Sequence, residues 1–294
     1  MPINLTIGGF DGIHLGHQEI IRRVQEICRD NRGTPGLITF HPHPAQLLYP
    51  DFPYLLTPLE EKLLLLTELG IEQVYIISVD QKLLATEPEE FIETHLLKLN
   101  PAAIVVGADH RFGKGAKGDV NLLKRILEPK GIKVEIVPEV IHLGAPVKST
   151  RIREHLILGH IRLAAELLGR PYSLTGIVVP GTGTGRRIGF PTINIQPPKE
   201  KLLPLEGVYA GTAEIKSQQF PGVVNIGFRP TFAGEQKTVE IHLLNFSSQV
   251  DLGEKITIRL IERIRPEQRF PNPLALAEEI RKDIAAAKKI LNII

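Results

Sequence analysis

The hydrophobic periodicity of this chain changes character near Leu168–Pro171, and that change limits what the chain can fold into. Upstream, short apolar runs alternate with helical patterns. Ile3–Ile7, Leu37–Phe40, Val74–Val79, Ala103–Val106 and Lys133–Val137 read as strands. Between them, Leu59–Leu69, Pro88–Leu99 and Asn121–Leu127 carry apolar residues at helical spacing. Such alternation predicts a mostly parallel sheet covered by helices, with ligands at the carboxyl ends of the strands. Downstream the pattern becomes strands separated by turns, at Thr175–Val179, Val208–Ile215, Gly222–Ile226, Thr238–Leu244 and Lys255–Ile264. A closing helix follows: Asn272 can cap it, Pro273 suits its first position, and Ala277, Ile280, Ile284 and Ala287 share one face. We expect two domains, 1–168 and 169–294. The second is a small antiparallel barrel or sandwich, which the pattern alone does not separate.

The richest chemical signal is Gly181-Thr-Gly-Thr-Gly-Arg-Arg-Ile-Gly-Phe-Pro-Thr-Ile-Asn194. Glycines at 181, 183, 185 and 189 let the backbone approach a ligand closely. Successive N–H groups in such a loop can cradle phosphate oxygens, and Arg186 adds charge. Thr192 and Asn194 then place two oxygen ligands on the same side of an extended segment, as a hard Mg²⁺ ion requires. A flexible turn is the bland alternative for the loop taken by itself.

A second signal is Gly8-Gly-Phe-Asp-Gly-Ile-His-Leu-Gly-His17, between the first strand and a helix whose apolar face carries Ile20, Ile21, Val24, Ile27 and Cys28. His14 and His17 therefore sit at a helix N-terminus, where phosphates bind. Paired imidazoles there can stabilise a triphosphate as its charge redistributes. A zinc pair or two surface histidines are the competing readings, and the glycine-rich setting without a nearby cysteine disfavours zinc.

Taken together, these segments resemble the bacterial bifunctional riboflavin kinase/FAD synthetase family from end to end. Phe10-Asp-Gly-Ile-His-Leu-Gly-His17, His41-Pro-His-Pro44, Val106-Gly-Ala-Asp-His-Arg-Phe-Gly113 and Ser149-Thr-Arg-Ile-Arg153 are similar to its adenylyltransferase motifs. The glycine-rich loop with Pro191-Thr-Ile-Asn194, Gly207-Val-Tyr-Ala210 and Val239-Glu-Ile-His-Leu-Leu244 are similar to its kinase motifs. Their order makes the resemblance far more specific than any one motif. It implies an α/β Rossmann-like nucleotidylyltransferase domain with a parallel sheet. A six-stranded antiparallel β-barrel riboflavin kinase domain with a C-terminal helix would follow it.

The resemblance also implies roles. ATP for adenylyl transfer would be held by Phe10, Gly12, His14, His17, Ser149, Thr150 and Arg153, with both histidines active in catalysis. Ser149 and Thr150 could instead simply cap their helix. Asp109, Arg111 and Phe112 would bind flavin, although Phe112 could equally be core. In the kinase half, Gly181, Gly183, Gly185 and Arg186 would contact ATP, Thr192 and Asn194 would ligate Mg²⁺, and Arg269 and Phe270 would border the flavin. Glu240 matches the catalytic carboxylate and would accept the proton of the attacking alcohol. The expected activity is phosphorylation of riboflavin to FMN by ATP, then adenylylation of FMN to FAD with release of pyrophosphate. Gly8 and His110 differ from the family's usual Asn and Phe. One alternative is therefore a kinase with a degenerate first domain; a flavin and nucleotide sensor without turnover is another, which the intact Glu240 and Thr192 disfavour.

Composition narrows the class. A net charge of +2 makes no general case for nucleic-acid or membrane binding. The single cysteine, Cys28, excludes an intramolecular disulfide framework and suits a reducing compartment. No apolar run approaches the roughly 20 residues of a membrane span. The expectation is a cytoplasmic enzyme of small substrates, with self-association left open.

Overall fold

The computed structural model describes residues 1–49, 54–231 and 234–293. Its contacts divide the chain into two units, Met1–Ser149 and Thr150–Ile294.

The apolar run Ile3–Ile7 forms strand β1, buried along almost its whole length. Helix α1 (Leu15–Asn31), β2 (Thr34–His41), α2 (Pro44–Leu48), α3 (Leu59–Glu68) and β3 (Gln73–Ser78) follow. Next come α4 (Gln81–Leu84), α5 (Pro88–Phe91), β4 (Pro101–Gly107), α6 (Val120–Leu127) and β5 (Lys133–Val137). The five strands pair in the order β3-β2-β1-β4-β5, and every pairing is parallel. β1 lies at the centre, and its neighbours β2 and β4 continue the chain on opposite sides. The loops after β1 and β4 therefore flank the point where strand order reverses, the crevice in which open α/β sheets bind ligands.

Both sheet faces are covered. Leu5, Ile104 and Val106 pack against Phe91, Ile92, Leu96, Leu122 and Leu123. Another set joins Val24, Ile27 and Cys28 of α1 to Ala103, Val105 and Val137. Fully burying one such Leu or Ile contributes roughly 1.5–3 kcal/mol. The helix expected over Pro88–Leu99 is broken into α5, a π-helical turn at Ile92–Leu96 and a 3₁₀ turn at Leu97–Leu99. The wider turn keeps Ile92 and Leu96 both buried. The run ends at Asn100 in the left-handed region, where the following Pro101 disfavours helical backbone.

A short hairpin of β6 (Ile141–His142) and β7 (Ala145–Pro146), absent from the sequence expectations, precedes α7 (Ser149–Ile157). In the second unit α8 (Ile161–Leu168) leads into β8 (Tyr172–Val179), the single helical turn α9 (Thr184–Arg187) and β9 (Ile193–Gln196). Strands β10 (Gly207–Ile215), β11 (Gln218–Thr231), β12 (Gly234–Leu243) and β13 (Lys255–Arg265) follow, then helix α10 (Pro273–Ile290). The six strands close into an antiparallel barrel in the order β10-β11-β12-β9-β8-β13, so no sheet edge is left unpaired. Asn272 caps α10 by accepting the Ala275 N–H at 2.9 Å, with Pro273 in the first turn. Ala287 packs on Val208, Ala210 and Val223.

Candidate functional site

The loop after β1 is backbone under strain. Phe10 has φ 46° and Ile13 φ 41°, unusual for non-glycine residues, and Gly12 has φ 91°. Packing and hydrogen bonds from several elements hold these values. Phe10 and Ile13 are buried with Ile21, Leu37 and Leu66. Asp11 accepts the N–H groups of Leu56 and Thr57 at 3.1 and 2.9 Å. The Gly12 N–H donates to Thr57 Oγ1 at 2.8 Å, and Ser149 Oγ donates to the Asp11 carbonyl at 2.8 Å. Gln18 Nε2 donates to the Ile13 carbonyl at 2.8 Å.

The loop thus delivers His14 to the N-cap of α1, where its Nδ1 accepts the His17 N–H at 3.4 Å. The His14 and His17 rings stack with centroids 3.7 Å apart. Two parallel imidazoles at a helix N-terminus, each with a polar ring edge, form a site for anionic oxygens. Ser149 meets the same loop, and Thr150 and the buried Arg153 follow it along α7. Phe10 and Gly12 shape the loop, with the Phe10 ring in the core and the Gly12 N–H donated to Thr57.

After β4, Asp109 is exposed and pairs with Lys148 at 3.0 Å, while Arg111 lies 3.8 Å from Asp119. Phe112 is a core residue, its ring 5.8 Å from Phe91 and stacked 5.7 Å from His110. Burial lowers the His110 pKa to about 4, so its ring is neutral at pH 7.

In the second unit a cavity of about 380 Å³ is lined by residues that include Gly181, Arg186, Thr192 and Asn194. A β-carbon at Gly181 would overlap the Asn194 amide, so this glycine permits a close approach. The loop is less open than its composition suggests. Thr184–Arg187 form a helical turn, and the Phe190 N–H donates to the Gly185 carbonyl at 2.8 Å. Gly183 has φ 71° at the start of that turn. Glu240 pairs with Asn194 across β12 and β9, and its Oε2 accepts the Thr192 hydroxyl at 3.4 Å. The Glu240 carboxylate thus bonds the Thr192 hydroxyl and faces Asn194 across the strand pairing, and both of those partners line the cavity. Arg269 and Phe270 lie beyond β13, away from its lining. Phe270 packs under the Arg265 guanidinium, 5.7 Å from ring centroid to Cζ.

Three residues with structural consequence for these sites are not among the site candidates named from the sequence. Thr57 and Lys62 support the loop after β1 from α3 and the segment before it. His242, two residues beyond Glu240 on β12, bonds the Pro191 carbonyl through Nδ1 at 2.8 Å and so steadies the approach to Thr192. His242 stood inside a motif and was readable there; Thr57 and Lys62 depend on tertiary placement.

Residues 2–151 match the FAD synthetase family and residues 168–291 the riboflavin kinase family. The bifunctional riboflavin kinase/FMN adenylyltransferase of Bacillus subtilis is 36% identical over 284 residues, covering 95% of this chain and 89% of that protein. The Escherichia coli protein of the same description is 36% identical over 292 residues, 98% of this chain and 93% of its own length. A solved structure described as a macrolide-efflux protein from Streptococcus pneumoniae shares the fold with a TM-score of 0.89 and 29% identity. The likeness covers 98% of this chain and 94% of that one. Among the described residues no helix is long and apolar enough to cross a membrane.

Proposed function

This chain belongs to the bifunctional riboflavin kinase/FMN adenylyltransferase family, and we propose that each half carries one of the two steps, with named residues in each. The enzyme phosphorylates riboflavin to FMN with ATP, then adenylylates FMN to FAD. We assign adenylyl transfer to residues 1–168 and the kinase to 169–294.

In the kinase half, the 5′-hydroxyl of riboflavin attacks the γ-phosphorus of ATP, its proton passes to the Glu240 carboxylate, and ADP leaves. The observation that carries this reading is the Glu240 carboxylate bonded to the hydroxyl of Thr192, a residue that lines the Gly181–Asn194 cavity. Thr192 and Asn194 offer neutral oxygen ligands of the kind Mg²⁺ takes alongside phosphates, so the residues fit that ion. When bound, Mg²⁺ would neutralise phosphate charge as it shifts to the leaving group. Gly181, Gly183, Gly185 and Arg186 border the phosphates, and Arg269 and Phe270 the flavin.

In the adenylyl half, an FMN phosphate oxygen attacks the α-phosphorus of ATP and pyrophosphate leaves. No proton need move, so the protein supplies alignment and charge stabilisation. His14 and His17 hold the triphosphate, supported by Ser149, Thr150 and Arg153. Phe10 and Gly12 fix the loop that presents the histidines. Asp109 and Arg111 reach the flavin, with Phe112 as their buried support.

The test is incubation with riboflavin, ATP and Mg²⁺, followed by chromatographic separation of the flavins. FAD appearing through transient FMN is the expected result. Accumulation of FMN alone would reduce the protein to a kinase, and unchanged riboflavin would overturn the kinase assignment, with an assay fed FMN then deciding the adenylyl step.

A further inference from the structure

Lys62 is a charged side chain only 3% exposed. It projects from α3 beneath the histidine-bearing loop. Its Nζ donates to the Gly9 carbonyl at 2.6 Å and reaches Thr39 Oγ1 of β2 at 3.3 Å. Thr39 Oγ1 also donates to the Gly9 carbonyl, at 3.4 Å. On the far side of Gly9 stands His43, so close that a β-carbon on Gly9 would lie 2.6 Å from its Nε2. Gly9 is thus clamped between an ammonium and an imidazole, immediately before the strained Phe10–Ile13 turn.

A buried amine is costly unless its position does something that an apolar side chain cannot. The Asp11 carboxylate beside it already accepts from Leu56, Thr57 N and Thr57 Oγ1, so Lys62 is not needed merely to satisfy that group. What Lys62 alone supplies is a charge-assisted bond to the carbonyl at the loop's entry, where a non-glycine backbone held at positive φ must be over-determined by its surroundings.

We propose that Lys62 is a positioning residue of the adenylyl step: by fixing the Gly9 carbonyl it holds the loop in the conformation that presents His14 and His17 to the triphosphate. The proposal rests on the assignment of those histidines made above. Burial lowers the Lys62 pKa to about 8, with the negative Asp11 opposing the shift. The groups that face it are Asp11 from the loop, the uncharged Thr39 from β2 and, across Gly9, His43 from the start of α2; Glu61 is its neighbour on α3.

The experiment compares the full-length parent with Lys62→Met and His17→Ala, assaying FMN adenylylation and riboflavin phosphorylation from pH 6.5 to 9.5. Lys62→Met should lower kcat for adenylylation on the order of 10²-fold, more than it changes KM for ATP, while riboflavin phosphorylation stays at the parent rate. The parent's adenylyl kcat should fall several-fold on the alkaline side as the ammonium is lost, and Lys62→Met should lack that limb. Lys62→Met at the parent rate, or with the same alkaline limb, overturns the proposal. If Lys62→Met does not fold, a parent adenylyl profile flat through pH 9.5 overturns it instead. His17→Ala at the parent rate would remove the histidine assignment itself. An impaired His17→Ala beside an unimpaired Lys62→Met would remove only the role of Lys62.

Discussion

Thr192 donates its hydroxyl to Oε2 of Glu240 at 3.4 Å, joining the Pro191–Asn194 segment to strand β12. The bond places the proposed metal ligand beside the proposed base, so the two groups should have separable effects. Thr192→Ala should weaken Mg·ATP binding and turnover together, raising the Mg²⁺ concentration needed for half-maximal riboflavin phosphorylation. Chelating the divalent ion should abolish phosphorylation in the parent. A Thr192→Ala protein with the parent's Mg²⁺ dependence would rule out the ligand role.

Gly181 faces the Asn194 amide with no room for a β-carbon. Gly181→Ala should therefore displace Asn194 and lower kcat/KM for riboflavin phosphorylation by up to about 10²-fold, while FMN adenylylation is unchanged. Steady-state assays fed separately with riboflavin and FMN check this.

Arg265 grips Asp283 through two parallel bonds, Nε to Oδ1 and Nη2 to Oδ2, each 2.8 Å. The Asp283 side chain is 4% exposed and that of Arg265 16%, so the pair fastens α10 to β13 in a region of low dielectric. Asp283→Ala should cost about 1–3 kcal/mol, because the largely buried Arg265 guanidinium loses two charge-assisted bonds and keeps only Glu279 at 3.8 Å and the Pro266 carbonyl at 3.0 Å. Replacing both partners, Arg265→Met with Asp283→Leu, should recover most of that loss. Urea denaturation of the single and double variants measures it, and equal destabilisation by both would contradict the argument.

How far the sequence discloses this molecule depends on whether a feature is local. Ile3–Ile7 is a strand in sequence and structure alike because its apolar run has no helical alternative in that context. Asn272 and Pro273 announce the start of α10 through capping chemistry that needs no neighbours. Strand β9 is different: Ile193–Gln196 is short, and only its pairing with β8 and β12 makes it a strand. The Thr184–Arg187 turn hides in a glycine-rich run that reads as open loop. Glu240 and Thr192 are legible as motif members, but their contact across 48 positions of sequence is not. Lys62 sits in a Glu-Glu-Lys run of α3 that the sequence does not mark as a site, and its burial comes from the loop after β1 and from Thr39.

That burial has a pH signature in stability. The Lys62 pKa falls from 10.5 in the unfolded chain to about 8 in the fold, mainly through desolvation. Below about pH 8 the amine is charged in both states and the folded state bears the desolvation cost. Between that pH and 10.5 the unfolded chain holds a proton that the folded chain has released, so stability rises with pH across this window. The displacement is worth roughly 3 kcal/mol in full. Differential melting of the parent and Lys62→Met should show the parent gaining on the variant from pH 8 to 10.5. A constant difference between them would contradict a buried, titrating Lys62.

The central claim is that one chain performs two reactions at separate sites, with Glu240 serving only the first. Its most direct measurement is Glu240→Gln assayed twice, once fed riboflavin and once fed FMN, with ATP and Mg²⁺ in both. The substitution keeps shape and removes the base, so riboflavin phosphorylation should fall on the order of 10²–10⁴-fold. FMN should still be converted to FAD at the parent rate. Riboflavin phosphorylated at the parent rate by Glu240→Gln, or FMN adenylylation lost along with it in a folded protein, would contradict the account.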